Sequence, residues 1–142
     1  MTFTDDLHKV PQPTDQALSL AVAGSLIDAL AARDFDGIVG TFAPDVRFRA
    51  LLPSRVLDLQ GRDAARGVFE RWFANADRWE LTEAVVGEVG GRIHLRWRVR
   101  LTDANIGEGN FVVEQQVYAD AGADGCLCDV ALLCTGYRAE AS

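Results

Sequence analysis

At 142 residues the chain is the size of one domain with one core, and a hydrophobic content of 49% is enough to fill it. A formal net charge of −7 repels phosphate backbones and anionic lipid, which argues against nucleic acid and the membrane surface as partners. No apolar run approaches the ~18 residues of a membrane span, and the acidic start MTFTDDLHKV lacks the basic and apolar regions of an export signal.

Residues 1–13 are polar, carry two prolines and are expected to form a loose arm before a single domain over residues 14–142. Thr14 or Asp15 can cap a first helix. Leu18, Val22, Leu26, Ala29 and Leu30 then recur at helical spacing up to Asp34. A short amphipathic helix is expected over residues 35–42, ended by APD, and VRFRA after it alternates as a strand should. LPSRVLDLQGR reads as a turn and a second short strand. Gly61 and Asp63 open a third helix with the stripe Ala65, Phe69, Trp72 and Phe73. After Asp77 the period changes to two, and strands are expected at 79–89, 91–102, 109–119 and 126–138, joined by Gly-rich hairpins. Helices first and long strands after predict an α+β fold, with three N-terminal helices packed on one face of a strongly curved antiparallel sheet.

The strand RIHLRWRVRL separates into two faces. Ile93, Leu95, Trp97, Val99 and Leu101 must point inward, because the arginines that alternate with them could not all be desolvated. Arg92, His94, Arg96, Arg98 and Arg100 form the outer face. A three-residue turn before Arg92 would set it opposite Glu88 and Arg100 opposite Glu80, with Trp79, Leu81 and Val85 inside. The arginine stripe is read as a salt-bridged or dimer-contact surface. On the last strand Cys126, Cys128, Val130, Leu132 and Cys134 share the inward parity. Cys134 lies roughly 20 Å from Cys128 at about 3.3 Å per residue, so the thiols cannot converge on zinc, and no metal is expected. Without an export signal, three unpaired thiols are expected in a reducing cytoplasm. VGEVGG reads as a hairpin turn, so no cofactor is expected either.

The segments ARDFDGIVGTFAPDV and GRDAARGVFERWF, followed by long strands, resemble the nuclear transport factor two superfamily, and within it SnoaL-like proteins and ketosteroid isomerases, over roughly residues 15–138. The resemblance implies a cone-shaped, cystatin-like fold around an apolar pocket, and a dimer formed through the sheet. It also implies a catalytic set, most of which is missing. Ketosteroid isomerases use a carboxylate base with a Tyr and a protonated Asp as oxyanion hole. Here the base position falls on Ala50, the first-helix Tyr on Leu26 and a supporting Tyr near Phe69. The oxyanion-hole Asp falls near Glu114, still an acid. The Asp-Arg-Asp set of limonene epoxide hydrolases is absent too, with Ala131 where an Asp is needed.

In FVVEQQVYAD two warrants conflict. The resemblance turns Glu114, Gln116 and Tyr118 inward. Apolar periodicity turns Phe111, Val113, Gln115 and Val117 inward instead. An inward Glu114 would be a neutral hydrogen-bond donor, whereas an outward one would pair with the arginine stripe. The expected pocket wall comprises Leu26, Phe48, Ala50, Phe69, Trp72, Trp97, Gln116, Tyr118, Leu132 and Cys134. Two functions follow from this. One is an isomerase, cyclase or dehydratase acting on a small polyketide-, steroid- or terpenoid-like compound through Glu114. The other is a non-catalytic module that binds an apolar ligand or forms a homodimer.

Overall fold

The computed structural model describes residues 15–140. The expected arm over residues 1–13 lies outside them. Helix α1 (Asp15–Ala31) buries Ala23, Leu26 and Leu30, spaced three and four apart, against the sheet. It closes where Arg33 takes a left-handed conformation, φ 52°, so that Asp34 N reaches back to Ala29 O at 2.8 Å. The Arg33 guanidinium donates to the carbonyls of Phe73 and Ala76, and lies 5.8 Å from the centroid of the Trp79 ring. Arg33 thereby ties the end of α1 to the end of the third helix.

The motif DFDGIV has a local physical basis. Asp34 caps the short helix α2 (Phe35–Gly40), its Oδ1 accepting from Gly37 N at 3.1 Å. Gly37 leaves room for that bond, since a Cβ would stand 2.7 Å from Asp34 Oδ2 and 3.0 Å from Ala29 Cβ. Ile38 and Val39 then enter the core. Contrary to expectation, APD does not separate helix from strand. Strand β1 (Phe42–Leu51) already includes it, because Phe42 at its start is buried against Phe48 and the third helix. Strand β2 (Val56–Gln60) and helix α3 (Arg62–Phe73) follow. Strands β3 (Arg78–Val89), β4 (Arg92–Thr102), β5 (Phe111–Ala121), β6 (Leu127–Cys134) and β7 (Arg138–Ala139) complete the sheet.

The three helices pack on one face of this curved sheet. The strand order is β2-β1-β6-β5-β4-β3, with β7 beside β5. The sheet is not wholly antiparallel, since β1 and β6 pair in parallel. Helix α3 and the four strands β2, β3, β4 and β5 between them form the long crossover that such a pairing needs.

Two bulges redirect side chains that strict alternation placed elsewhere. Gly90 and Gly91, with φ of 58° and 80°, make a two-residue turn. Arg92 therefore faces Val89, not Glu88. A bulge at Thr82 absorbs the offset, so Arg100 still faces Glu80. Trp79 and Leu81 turn inward, whereas Val85 turns outward opposite Arg96 and Val86 takes its inward place. The second bulge leaves Cys128 outside the β5–β6 ladder, between Leu127↔Ala121 and Asp129↔Asp120. Leu127 is buried in consequence, and Cys128 is exposed, contrary to its inward parity.

Among the described residues, no helix is long and apolar enough to cross a membrane.

Candidate functional site

Most of the cone is filled by the protein's own side chains. Leu26, Phe48, Ala50, Phe69, Trp97 and Leu132 are no more than 2% exposed. They belong to the packed core, not to the open wall expected of them. The rings of Phe42, Phe48 and Phe69 lie 5.7–6.2 Å apart and close the centre.

Beside the end of α3 lies an open cavity of about 260 Å³. Trp72 and Phe73 of α3 form one side, residues 52–54 a second, and Val113 and Gln115 of β5 the floor. The chain after β6 makes the roof. There the ladder breaks, because β6 ends at Cys134↔Gln115 and β7 resumes only at Arg138↔Val112. Gly136 permits the detour with φ 76°, and a Cβ on it would meet Pro53 Cγ at 2.9 Å. The detour swings Tyr137 over the cavity, where its hydroxyl donates to Trp72 O.

Gln115 is the polar centre. It is 1% exposed, and its Oε1 accepts from Trp97 Nε1 at 2.9 Å. An indole can only donate, so this bond fixes the amide with its NH₂ group turned the other way. Nε2 donates to Cys134 Sγ at 3.3 Å, and Gly136 N donates to the same sulfur at 3.4 Å. Among the described residues Cys134 is the only acceptor for that NH₂ group, so one of its hydrogens is unpaired.

Burial pushes the Tyr137 phenol well above its ordinary value of 10.0, with the charges of Cys134 and Asp103 acting in the same direction. Its stabilising contribution is complete below that ordinary value and is lost as pH rises through the folded value, because the unfolded chain deprotonates first. The urea midpoint of the wild type is therefore expected to fall above about pH 10, and to fall less in Tyr137→Phe. Identical slopes in the two proteins would contradict the burial. Asp103 is itself 5% exposed, but its Oδ1 accepts from Asn105 N at 2.8 Å in a turn.

Glu114, Gln116 and Tyr118 are not in the cone. They occupy the outer face, and the reading that turned them inward is overturned. Phe111, Val113, Gln115, Val117 and Ala119 take the inward parity of β5. The physical reason is twofold. A neutral amide costs less to bury than a carboxylate, and Arg98 lies directly opposite Glu114 across the ladder. Arg98 Nε donates to Glu114 Oε2 at 2.8 Å. Gln116 Oε1 lies 3.1 Å from His94 Nε2, and the Tyr118 ring lies 4.9 Å from the His94 ring. Glu114 and Gln116 line an outer depression of about 460 Å³ with Leu51 and Leu133. Of the expected wall, only Trp72 and Cys134 border the inner cavity.

The rest of the outer face is a lattice of ion pairs. Arg49 meets Asp129 at 2.9 Å, Arg92 meets Asp120 at 3.0 Å, Arg96 meets Glu83 at 2.9 Å and Arg100 meets Glu140 at 2.7 Å. Among the described residues no three His, Cys, Asp or Glu side chains cluster as metal ligands would.

The sequence matches the SnoaL-like domain family over residues 23–124. No curated protein matches it. Among solved structures, a protein assigned as a polyketide cyclase from Xanthomonas campestris pv. campestris superposes with a TM-score of 0.68 at 19% identity, covering 84% of this chain and 92% of its own. An NTF2-like protein of unknown function from an Exiguobacterium species gives 0.60 at 20% identity, over 81% of this chain and 98% of its own. A cystatin-fold protein from Novosphingobium aromaticivorans gives 0.59 at 22% identity, over 80% and 96%. At these identities the likeness is one of fold.

Proposed function

The chain belongs to the SnoaL-like domain family, and on that footing we propose that it binds a small, neutral, carbonyl-bearing molecule in the cavity under Tyr137 without moving a proton itself. The observation that carries this reading is the cavity lining. It holds the polar residues Ser54, Gln115, Cys134 and Tyr137 among apolar walls, and no carboxylate, histidine or lysine. Acid–base isomerisation or cyclisation needs a group that titrates near neutrality within reach of substrate. Ala50 cannot supply one, and Glu114 is engaged with Arg98 on the far side of the sheet. Trp72, Phe73 and Val113 favour an apolar body, and the unpaired Gln115 N–H favours an acceptor oxygen. At about 260 Å³ the space is below the roughly 300–1,000 Å³ of sites for drug-sized ligands, so the ligand has one or two rings.

An NMR titration with cyclohexanone tests the reading. The Gln115 side-chain amide resonances are expected to move to saturation, and cyclohexanecarboxylate is expected to leave them in place. Shifts confined to Glu114 and Gln116, or none, would overturn it.

The same reading gives the outer sheet face to a second copy of the chain. Among the described residues six large hydrophobic side chains are exposed, and five of them, Leu51, Val56, Val85, Val89 and Leu133, share that face. The paired arginines add no net charge there, so two copies can meet despite a charge of −7 each. Light scattering is expected to give a dimer at tens of micromolar, on the order of weak-dimer concentrations, and Leu133→Lys a monomer. A wild-type monomer would remove this assignment. A cytoplasmic location accords with the three free thiols.

A further inference from the structure

We propose that Cys134 is an attachment site for α,β-unsaturated ketones that enter the inner cavity. The proposal rests on the cavity reading above and deepens it by naming a class of occupant that stays.

Two independent features converge. The first is the placement of the thiol. Cys134 borders both the inner cavity and the outer depression, and its sulfur lies against Gln115 and Gly136 of the inner lining. Gln115 Nε2 at 3.3 Å and Gly136 N at 3.4 Å both direct hydrogens at it, where they would support the charge of an attacking sulfur. The second feature is the unpaired hydrogen on Gln115 Nε2. This side chain is 1% exposed and lines the same cavity, so its spare donor calls for an acceptor brought in by a ligand. An enone supplies both needs at once. Its carbonyl oxygen can accept the spare Gln115 hydrogen, and its β-carbon, three bonds away, is the atom a thiol attacks. With the oxygen on Gln115, the β-carbon faces Cys134 and the ring rests on Trp72 and Val113.

The step is a 1,4-addition that needs no further reagent. The thiol gives its proton to water, and Sγ forms a bond to the β-carbon. The electron pair of the C=C bond moves toward the carbonyl, where the Gln115 N–H holds the oxygen. The α-carbon then takes a proton from water, leaving a saturated thioether ketone with no leaving group and no change of oxidant. Cys128, which is exposed and donates to Asp120 O at 3.4 Å, borders neither the inner cavity nor the outer depression. It serves as an internal control.

The probe is 2-cyclohexen-1-one, with intact-mass measurement and peptide mapping of the wild type and of a Cys126→Ser/Cys128→Ser variant. One adduct is expected at Cys134 in both proteins. Its rate should saturate with enone concentration and slow at least about tenfold under excess cyclohexanone, as a pre-bound nucleophile requires. Cys134→Ser in the double-variant background should take up none while keeping the circular dichroism of the folded protein. Addition at Cys134 with a rate linear in enone and indifferent to cyclohexanone would overturn the proposal. So would labelling only at Cys126 and Cys128 while cyclohexanone still moves the Gln115 resonances; the cavity reading would survive that result. If cyclohexanone moves nothing and Cys134 takes no enone, both fall. Mapping of the wild type decides the matter even if the serine variant does not fold.

Discussion

Replacing Phe69 by alanine is expected to destabilise the fold by about 3–5 kcal/mol, the usual cost of emptying a fully packed aromatic position. Phe69 is 1% exposed, and the rings of Phe42, Phe48, Trp72 and Phe73 surround it at 5.5–6.4 Å. Nothing in so crowded a cluster can collapse into the space left behind. Urea unfolding should show a lower midpoint with an unchanged slope, because native compactness is retained. The variant should also gain a function. Trp72 and Phe73 separate Phe69 from the inner cavity, so the new void lies directly behind the ligand wall. A two-ring ketone such as decalone should then bind more tightly to Phe69→Ala than to the wild type. A cost below about 0.5 kcal/mol, the level of an ordinary surface change, would mean that the centre of the cone is hollow.

The second large effect concerns the buried polar pair. Gln115→Leu preserves volume but strands the Trp97 N–H in a site that is 0% exposed at Trp97. An orphaned buried donor costs about 1–3 kcal/mol. Trp97→Phe strands the Gln115 oxygen instead and adds a void. In the double variant neither orphan exists, so its cost should fall short of the sum of the two singles by about 0.5–3 kcal/mol. Gln115→Leu should also lose cyclohexanone binding, while Trp97→Phe, which does not border the cavity, should weaken it less. Strict additivity, measured by chemical denaturation of all four proteins, would show that the 2.9 Å hydrogen bond contributes nothing.

The strands, helices and faces were legible wherever burial alone decides. The alternation in β4 placed Ile93, Leu95, Trp97, Val99 and Leu101 inward, and each is now 4% exposed or less. β5 was legible too, but only through its apolar period. Ketosteroid isomerases place an acid at this point of the fold, and the likeness to them drew Glu114 inward. In this chain the desolvation of a carboxylate and the presence of Arg98 across the ladder outweigh that likeness. The bulges at Thr82 and Cys128 were not legible, because one extra residue leaves composition unchanged while reversing every face beyond it. Tyr137 was missed for a related reason. TGYR was read as the tail of a continuous strand, although a glycine inside a strand often marks a bulge or a bend. The cavity lies at that break. The parallel pairing of β1 with β6 is a long-range choice that no local pattern records.

The most direct measurement is a crystal structure of the protein soaked with cyclohexanone. Binding in the cone predicts density for the ring between Trp72 and Val113, with its oxygen on Gln115 Nε2, Tyr137 still bonded to Trp72 O and Glu114 still bonded to Arg98. Density in the outer depression beside Glu114 and Gln116, or Glu114 swung through into the cone with a ligand oxygen on it, would contradict the reading and return the chain to acid–base chemistry.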